Sequence, residues 1–139
     1  MEWIQRLPKN IRMRIIPYTY QVQPKNLLRD IESYKETHDA LFHLYHHYWN
    51  DTQPGQEKHW LINDIFAYAN HYKATLYGYV DHFYFVFKRN VRLQTMDAIH
   101  RYVRKLEEKN VDSQIHVMLG LFTVYERTDL VMDVSSRLE

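Results

Sequence analysis

The sequence predicts an α+β fold: two layers in the ferredoxin-like order β-α-α-β-β-α-β, with an antiparallel sheet packed on helices. Three observations predict it. A period-two alternation runs from Ile11 to Val22, and apolar stripes at three- and four-residue spacing follow from Leu27 to Tyr72. Two stretches rich in aromatic and β-branched residues lie at 74–89 and 114–126.

Ile11-Arg12-Met13-Arg14-Ile15 alternates apolar with basic residues, then restarts out of phase at Ile16, Tyr18, Tyr20 and Val22. Side chains that alternate in this way line the two faces of a strand, and the phase slip at Pro17 predicts a bulge. Pro24 suits a helix start, where its missing N–H costs little. Leu27, Ile31, Tyr34, His38, Leu41, Tyr45 and Tyr48 mark one face of a helix expected to reach about Trp49 and to stop at Asn50-Asp51. Pro54-Gly55 predicts a turn. A second helix is expected from about Glu57 to Tyr72, with Leu61, Ile65, Tyr68 and Tyr72 on its stripe.

Ala74 to Arg89 is expected to form two strands joined by a hairpin at Asp81-His82, its main polar break. Thr95 is placed to cap a third helix with Asp97 in its first turn. Met96, Ile99, Val103 and Leu106 form the stripe of that helix, and Asn110 its stop. Gln114 to Glu126, interrupted by Gly120, predicts the last strand.

Bulk properties narrow the function classes. The chain has 139 residues, the size of one domain spanning 1–139, with 45% hydrophobic and 25% charged residues. Eighteen basic and 17 acidic residues leave a net charge of +1. That balance argues against nucleic acid or an anionic membrane as the main partner. Cysteine is absent, which excludes a disulfide framework and a thiolate zinc site and fits a cytoplasmic location. No run approaches the roughly 20 apolar residues of a membrane helix.

Aromatic residues make up 15% of the chain, including 12 tyrosines. Tyrosine joins a large apolar ring to a polar tip and suits half-buried surfaces. On the expected sheet, apolar side chains fall on both faces. The face not covered by helices carries Tyr77, Tyr79, Tyr84 and Phe122, with Arg12 and Arg14 beside them. An apolar patch of that size predicts a contact surface. The first functional expectation is therefore a non-enzymatic binding or regulatory module, using protein–protein or small-ligand contacts at that aromatic face. A homodimer is the expected assembly, and no cofactor is expected.

Two alternatives use the same residues differently. Single-stranded nucleic acid could stack on Tyr77, Tyr79 and Tyr84. The nearest RNA-recognition match, Asp81 to Lys88, keeps Phe83, Phe85 and Val86 but lacks the leading basic residue and both small positions. Nearby, Lys88 to Lys105 holds six basic residues against Asp97 alone, before Glu107 and Glu108 restore the balance. The other alternative is a metal-dependent enzyme. Asp39, His43 and His47 recur at four-residue steps, so one helix face presents all three, and His59 on the next helix is the nearest further donor. No His-Glu-x-x-His, glycine-rich phosphate loop or nucleophile elbow accompanies them.

Overall fold

The computed structural model describes residues 25–49 and 55–138. These residues form six α-helices and one turn of 3₁₀ helix, with no strand among them. The α+β expectation is thus corrected: there is no sheet, no ferredoxin-like layer and no aromatic sheet face in the described residues. The first expected strand, 11–22, lies outside them, together with Arg12 and Arg14.

The helices are α1 (Lys25–Trp49), α2 (Glu57–Ala69), α3 (Asp81–Lys88), α4 (Met96–Glu107), α5 (Val111–Leu121) and α6 (Val124–Leu138). The 3₁₀ turn, Thr75–Tyr77, sits between α2 and α3. Helix α1 packs along α6 and against α2, α2 packs against α5, and α3 rests on α2 and α4. No described helix is long and apolar enough to cross a membrane.

The expected hairpin fails because its aromatic run satisfies two periods at once. Read as a strand, Phe83, Phe85 and Phe87 share a face. In α3 the buried residues are Phe83, Val86 and Phe87, at positions i, i+3 and i+4, while Phe85 is 61% exposed. Asp81 in the first turn and Lys88 in the last complement the helix dipole. The expected last strand fails in the same way. Gln114, Ile115, Met118 and Leu119 form the buried stripe of α5, and Asn110 starts that helix rather than ending the previous one. The Asn110 side chain accepts a hydrogen bond from the Ser113 amide at 2.8 Å, which satisfies one of the unpaired first-turn donors.

The other helices follow their stripes. Thr95 caps α4 by accepting from the Ala98 amide at 3.1 Å, and Ile99, Val103 and Leu106 are buried. Helix α1 buries Thr37, Leu41 and Tyr45, whereas Leu27, Ile31 and Tyr48 on the same stripe stay exposed. Two clusters of polar side chains tie the helices together. Arg127, 1% exposed, donates from Nε to the Leu119 carbonyl at 2.8 Å. Its Nη1 donates to the Asp30 carbonyl at 2.9 Å and carboxylate at 2.7 Å, joining α1, α5 and α6. Tyr45 donates to Asp64, Tyr68 to Asp129 at 2.8 Å, and Tyr72 to Asp133. These tyrosines are the polar joints of a helical bundle. Their rings fill space while each hydroxyl finds a carboxylate.

Candidate functional site: a pinned loop and its groove

Helix α2 ends at Ala69 with Asn70 as its C-cap, and the chain then does something costly. His71 and Tyr72 adopt φ of 52° and 60°, the left-handed region that strains any residue with a Cβ. Tyr72 N–H donates back to the Ala67 carbonyl at 2.7 Å, closing the helix end. The strain redirects the chain into residues 73–80, which pass through the 3₁₀ turn and reverse at Gly78, whose φ of 110° calls for glycine.

Asn70 is fully buried and holds this loop at both ends. Its Nδ2 donates to the Lys73 carbonyl at 2.8 Å and the Gly78 carbonyl at 3.2 Å. Its Oδ1 accepts from the Val80 amide at 2.7 Å. One carboxamide thus closes an eight-residue span. Between those anchors Leu76 is 86% and Tyr77 is 89% exposed, the largest apolar exposures of the loop.

Beside the loop lies a groove of about 800 Å³. Ile62, Phe66 and Ala67 of α2 contribute to it, with Thr75, Leu76 and Tyr79 from the loop and Val111 from α5. Glu107 at the end of α4, with Lys109 and Asn110 of the α4–α5 connection, adds polar groups. A second buried carboxamide fixes that connection: Gln114 Nε2 donates to the Lys109 carbonyl at 2.8 Å and to the Glu107 carbonyl at 3.3 Å. Both walls are therefore pinned by a buried side-chain amide, and the groove is formed before anything enters it.

A third polar cluster lies where α2, α3, α5 and α6 meet. Thr123 and Glu126 form a capping box at the start of α6. The Thr123 amide donates to Glu126 Oε1 at 2.8 Å, and the Glu126 amide to Thr123 Oγ1 at 3.2 Å. Arg89 donates to both oxygens of Glu126 and to the Leu121 carbonyl at 2.9 Å. His82 places Nε2 3.0 Å from Glu126 Oε2 and Nδ1 2.9 Å from the Ala69 carbonyl. Burial opposes ionisation of Glu126. The hydrogen bonds from Arg89, the Thr123 amide and His82 outweigh it and pull its pKa down to about 2. The carboxylate is saturated, which suits a structural joint.

The residues singled out in the sequence fall in several places. Tyr77 stands at the loop tip. Tyr79 lines the groove and stacks on Phe83, ring centroids 4.0 Å apart. Tyr84 meets Tyr79 edge-on at 5.8 Å, and its hydroxyl hydrogen-bonds His100 Nε2 at 2.6 Å. Phe122 is buried, edge-on to Tyr68, and presents no surface. On α1, Asp39, His43 and His47 are exposed, and the His43 and His47 rings stack at 6.4 Å. Asp39 meets His38 at 3.3 Å. His59 lines the groove on α2. Among the described residues, no group of three or more histidine, aspartate or glutamate side chains is placed to hold a metal ion.

No motif or spacing in the sequence points to Asn70, Leu76, Gln114 or Glu126 as functional. Gly78, eight residues after Asn70, was the available sign of a closed loop. It was masked by the aromatic run around it, which reads as strand.

No protein-family model matches the chain, and neither a curated protein nor a solved structure matches it.

Proposed function

We propose that the chain is a non-enzymatic binding module whose contact surface is the tip of loop 73–80 with the adjoining groove. One observation carries this reading: two buried carboxamides, Asn70 and Gln114, hold an exposed apolar tip and its groove in a fixed shape. A loop left to itself would fold Leu76 and Tyr77 inward or move freely. Here buried polar groups and two left-handed residues hold them outward, and backbone strain of this kind gathers at ligand clamps and binding sites. A pre-organised surface binds with less ordering cost. Tyrosine at its tip is the residue type that dominates contact energetics.

The buried acid–base groups support binding over catalysis. Glu126 is fully engaged by Arg89, Thr123 and His82, and Tyr45 and Tyr68 each donate to a carboxylate. They tie helices together.

The test is a photo-reactive benzophenone side chain placed at position 77, with position 125 as control because Tyr125 is 76% exposed and belongs neither to the loop nor to the groove lining. In cells, discrete covalent adducts are expected from 77 and not from 125. No adduct from 77, or the same pattern from both positions, overturns the proposal.

A further inference from the structure

We propose that His82 is a pH-sensitive latch at the base of loop 73–80, closed while its imidazole carries both ring protons and loosened when it loses one. That the latch regulates binding rests on the reading above. The latch itself rests on the geometry around one ring.

His82 stands in the first turn of α3, where the chain leaves the loop, and reaches back to the end of α2, where the chain enters it. Its Nδ1 lies 2.9 Å from the Ala69 carbonyl and its Nε2 3.0 Å from Glu126 Oε2. A carbonyl oxygen only accepts. So does the ionised carboxylate of Glu126, whose pKa is pulled down to about 2. Turning the ring over would set carbon against both oxygens, closer than the roughly 3.3–3.6 Å of C–H···O contacts. Both nitrogens therefore have to donate, and only the imidazolium carries two N–H groups.

The Ala69 carbonyl needs this donor. The Lys73 amide, which would complete the helix at Ala69, donates to the Asn70 carbonyl instead. A cation at a helix C-terminus is also favoured by the helix dipole. A neutral ring would turn a lone pair on one of the two oxygens. The bond to the carboxylate is charge-assisted and outlasts the bond to the carbonyl. Nδ1 is therefore the nitrogen that gives up its proton, and the tie between α2 and α3 is the one lost. Histidine side chains change charge between about pH 5 and 8. The latch contributes fully at the acid end of that range and fades as pH rises. The His82 side chain is 22% exposed, so water can carry the proton away.

The groups around the ring leave one competitor. Arg89 and the Thr123 amide hold Glu126, and Asp129 of α6 accepts from Tyr68 of α2. Asp81 precedes His82 on α3, and Tyr72 and Tyr125 line the same cavity of about 460 Å³. His71 stacks on His82 with ring centroids 4.4 Å apart, so its response has to be separated from that of His82.

The experiment is NMR on the full ¹⁵N-labelled chain from pH 5 to 8, reading the His82 ring nitrogens and the exchange protection of the Val80 amide. At pH 5 both nitrogens are expected to carry protons, and at pH 8 only Nε2. Val80 protection, corrected for the intrinsic pH dependence of exchange, is expected to fall at least about tenfold over that range, the effect of one hydrogen bond to a charged group. Protection of the Ile99 amide of α4 is expected to stay level. His82→Gln does not titrate and is expected to remove the fall. His71→Asn, which suits a left-handed backbone, is expected to keep it. A ring with one proton throughout overturns the latch, as does Val80 protection that ignores pH, a fall that persists in His82→Gln, or one that vanishes in His71→Asn. The ring and exchange measurements do not depend on the benzophenone result. No adduct from position 77 removes the binding reading alone, and a failed titration removes the latch alone.

Discussion

Asn70 and Val80 are ten residues apart in sequence and joined by one hydrogen bond, from the Val80 amide to the Asn70 side-chain oxygen at 2.7 Å. That bond ends the loop whose other anchor is the Lys73 carbonyl, held by the same side chain. The loop shape therefore depends on a carboxamide that donates and accepts at once. Asn70→Asp keeps the size and the acceptor but loses the two donors facing Lys73 and Gly78. It is expected to cost about 2–3 kcal/mol, since carbonyls that lose a partner inside a protein carry their own desolvation penalty. Asn70→Ala is expected to cost at least as much. Urea denaturation with an unchanged m value checks both.

The aromatic run of α3 separates helix from strand experimentally. Phe83→Ser is expected to destabilise by about 3–5 kcal/mol because the ring is fully buried. Phe85→Ser is expected to cost under about 1 kcal/mol, since Phe85 is 61% exposed and its ring meets the Arg89 guanidinium at 5.1 Å on the surface. On a strand the two would share a face. Equal losses in thermal unfolding would contradict the helical assignment.

The Glu126 cluster makes stability depend on acid. Its pKa lies near 2 in the folded chain against an ordinary value of 4.5. A carboxylate held below its unfolded value stabilises the fold fully above the unfolded pKa. That contribution fades as pH falls from about 4.5 towards about 2, because the unfolded state then takes up the proton first. The melting temperature is expected to drop through that window. Glu126→Gln cannot titrate, so its melting temperature starts lower and falls less steeply there. Parallel curves for the two proteins would show that another group sets the acid response.

Arg127 joins three helices through one guanidinium. Arg127→Lys keeps the charge but loses the planar fork that reaches Leu119 and Asp30 together. The expected loss is about 2–3 kcal/mol, measurable by chemical denaturation. A loss below about 0.5 kcal/mol, ordinary for a surface change, would contradict the joint.

What was legible in the sequence follows from which signals were unambiguous. The α1 and α2 helices and the Thr95 cap each obey one period or one local rule and each forms, although Leu27, Ile31 and Tyr48 of the α1 stripe stay exposed and α2 stops at Ala69 rather than Tyr72. The runs at 83–87 and 114–121 are apolar at nearly every position, so alternation and helical spacing both fit. There the packing of Phe83, Val86 and Phe87 against other helices decides. Asn110 is legible as punctuation but not as to side, because asparagine ends helices and also caps their starts. The site was less legible than the fold. The alternation around Tyr77 and Tyr79 predicts a sheet face that does not form, and they lie on the loop and groove instead. Asn70 and Gln114 exert their effect through backbone carbonyls, and a sequence does not display which carbonyls a folded chain leaves unpaired.

The central claim is that the tip is held rigid rather than merely exposed, and amide hydrogen exchange tests it most directly. In the native chain the Val80 and Gly78 amides are expected to exchange well below random-coil rates, and Asn70→Ala is expected to release both while the α4 amides stay protected. Exchange of these two amides at random-coil rates in the native chain would contradict the claim.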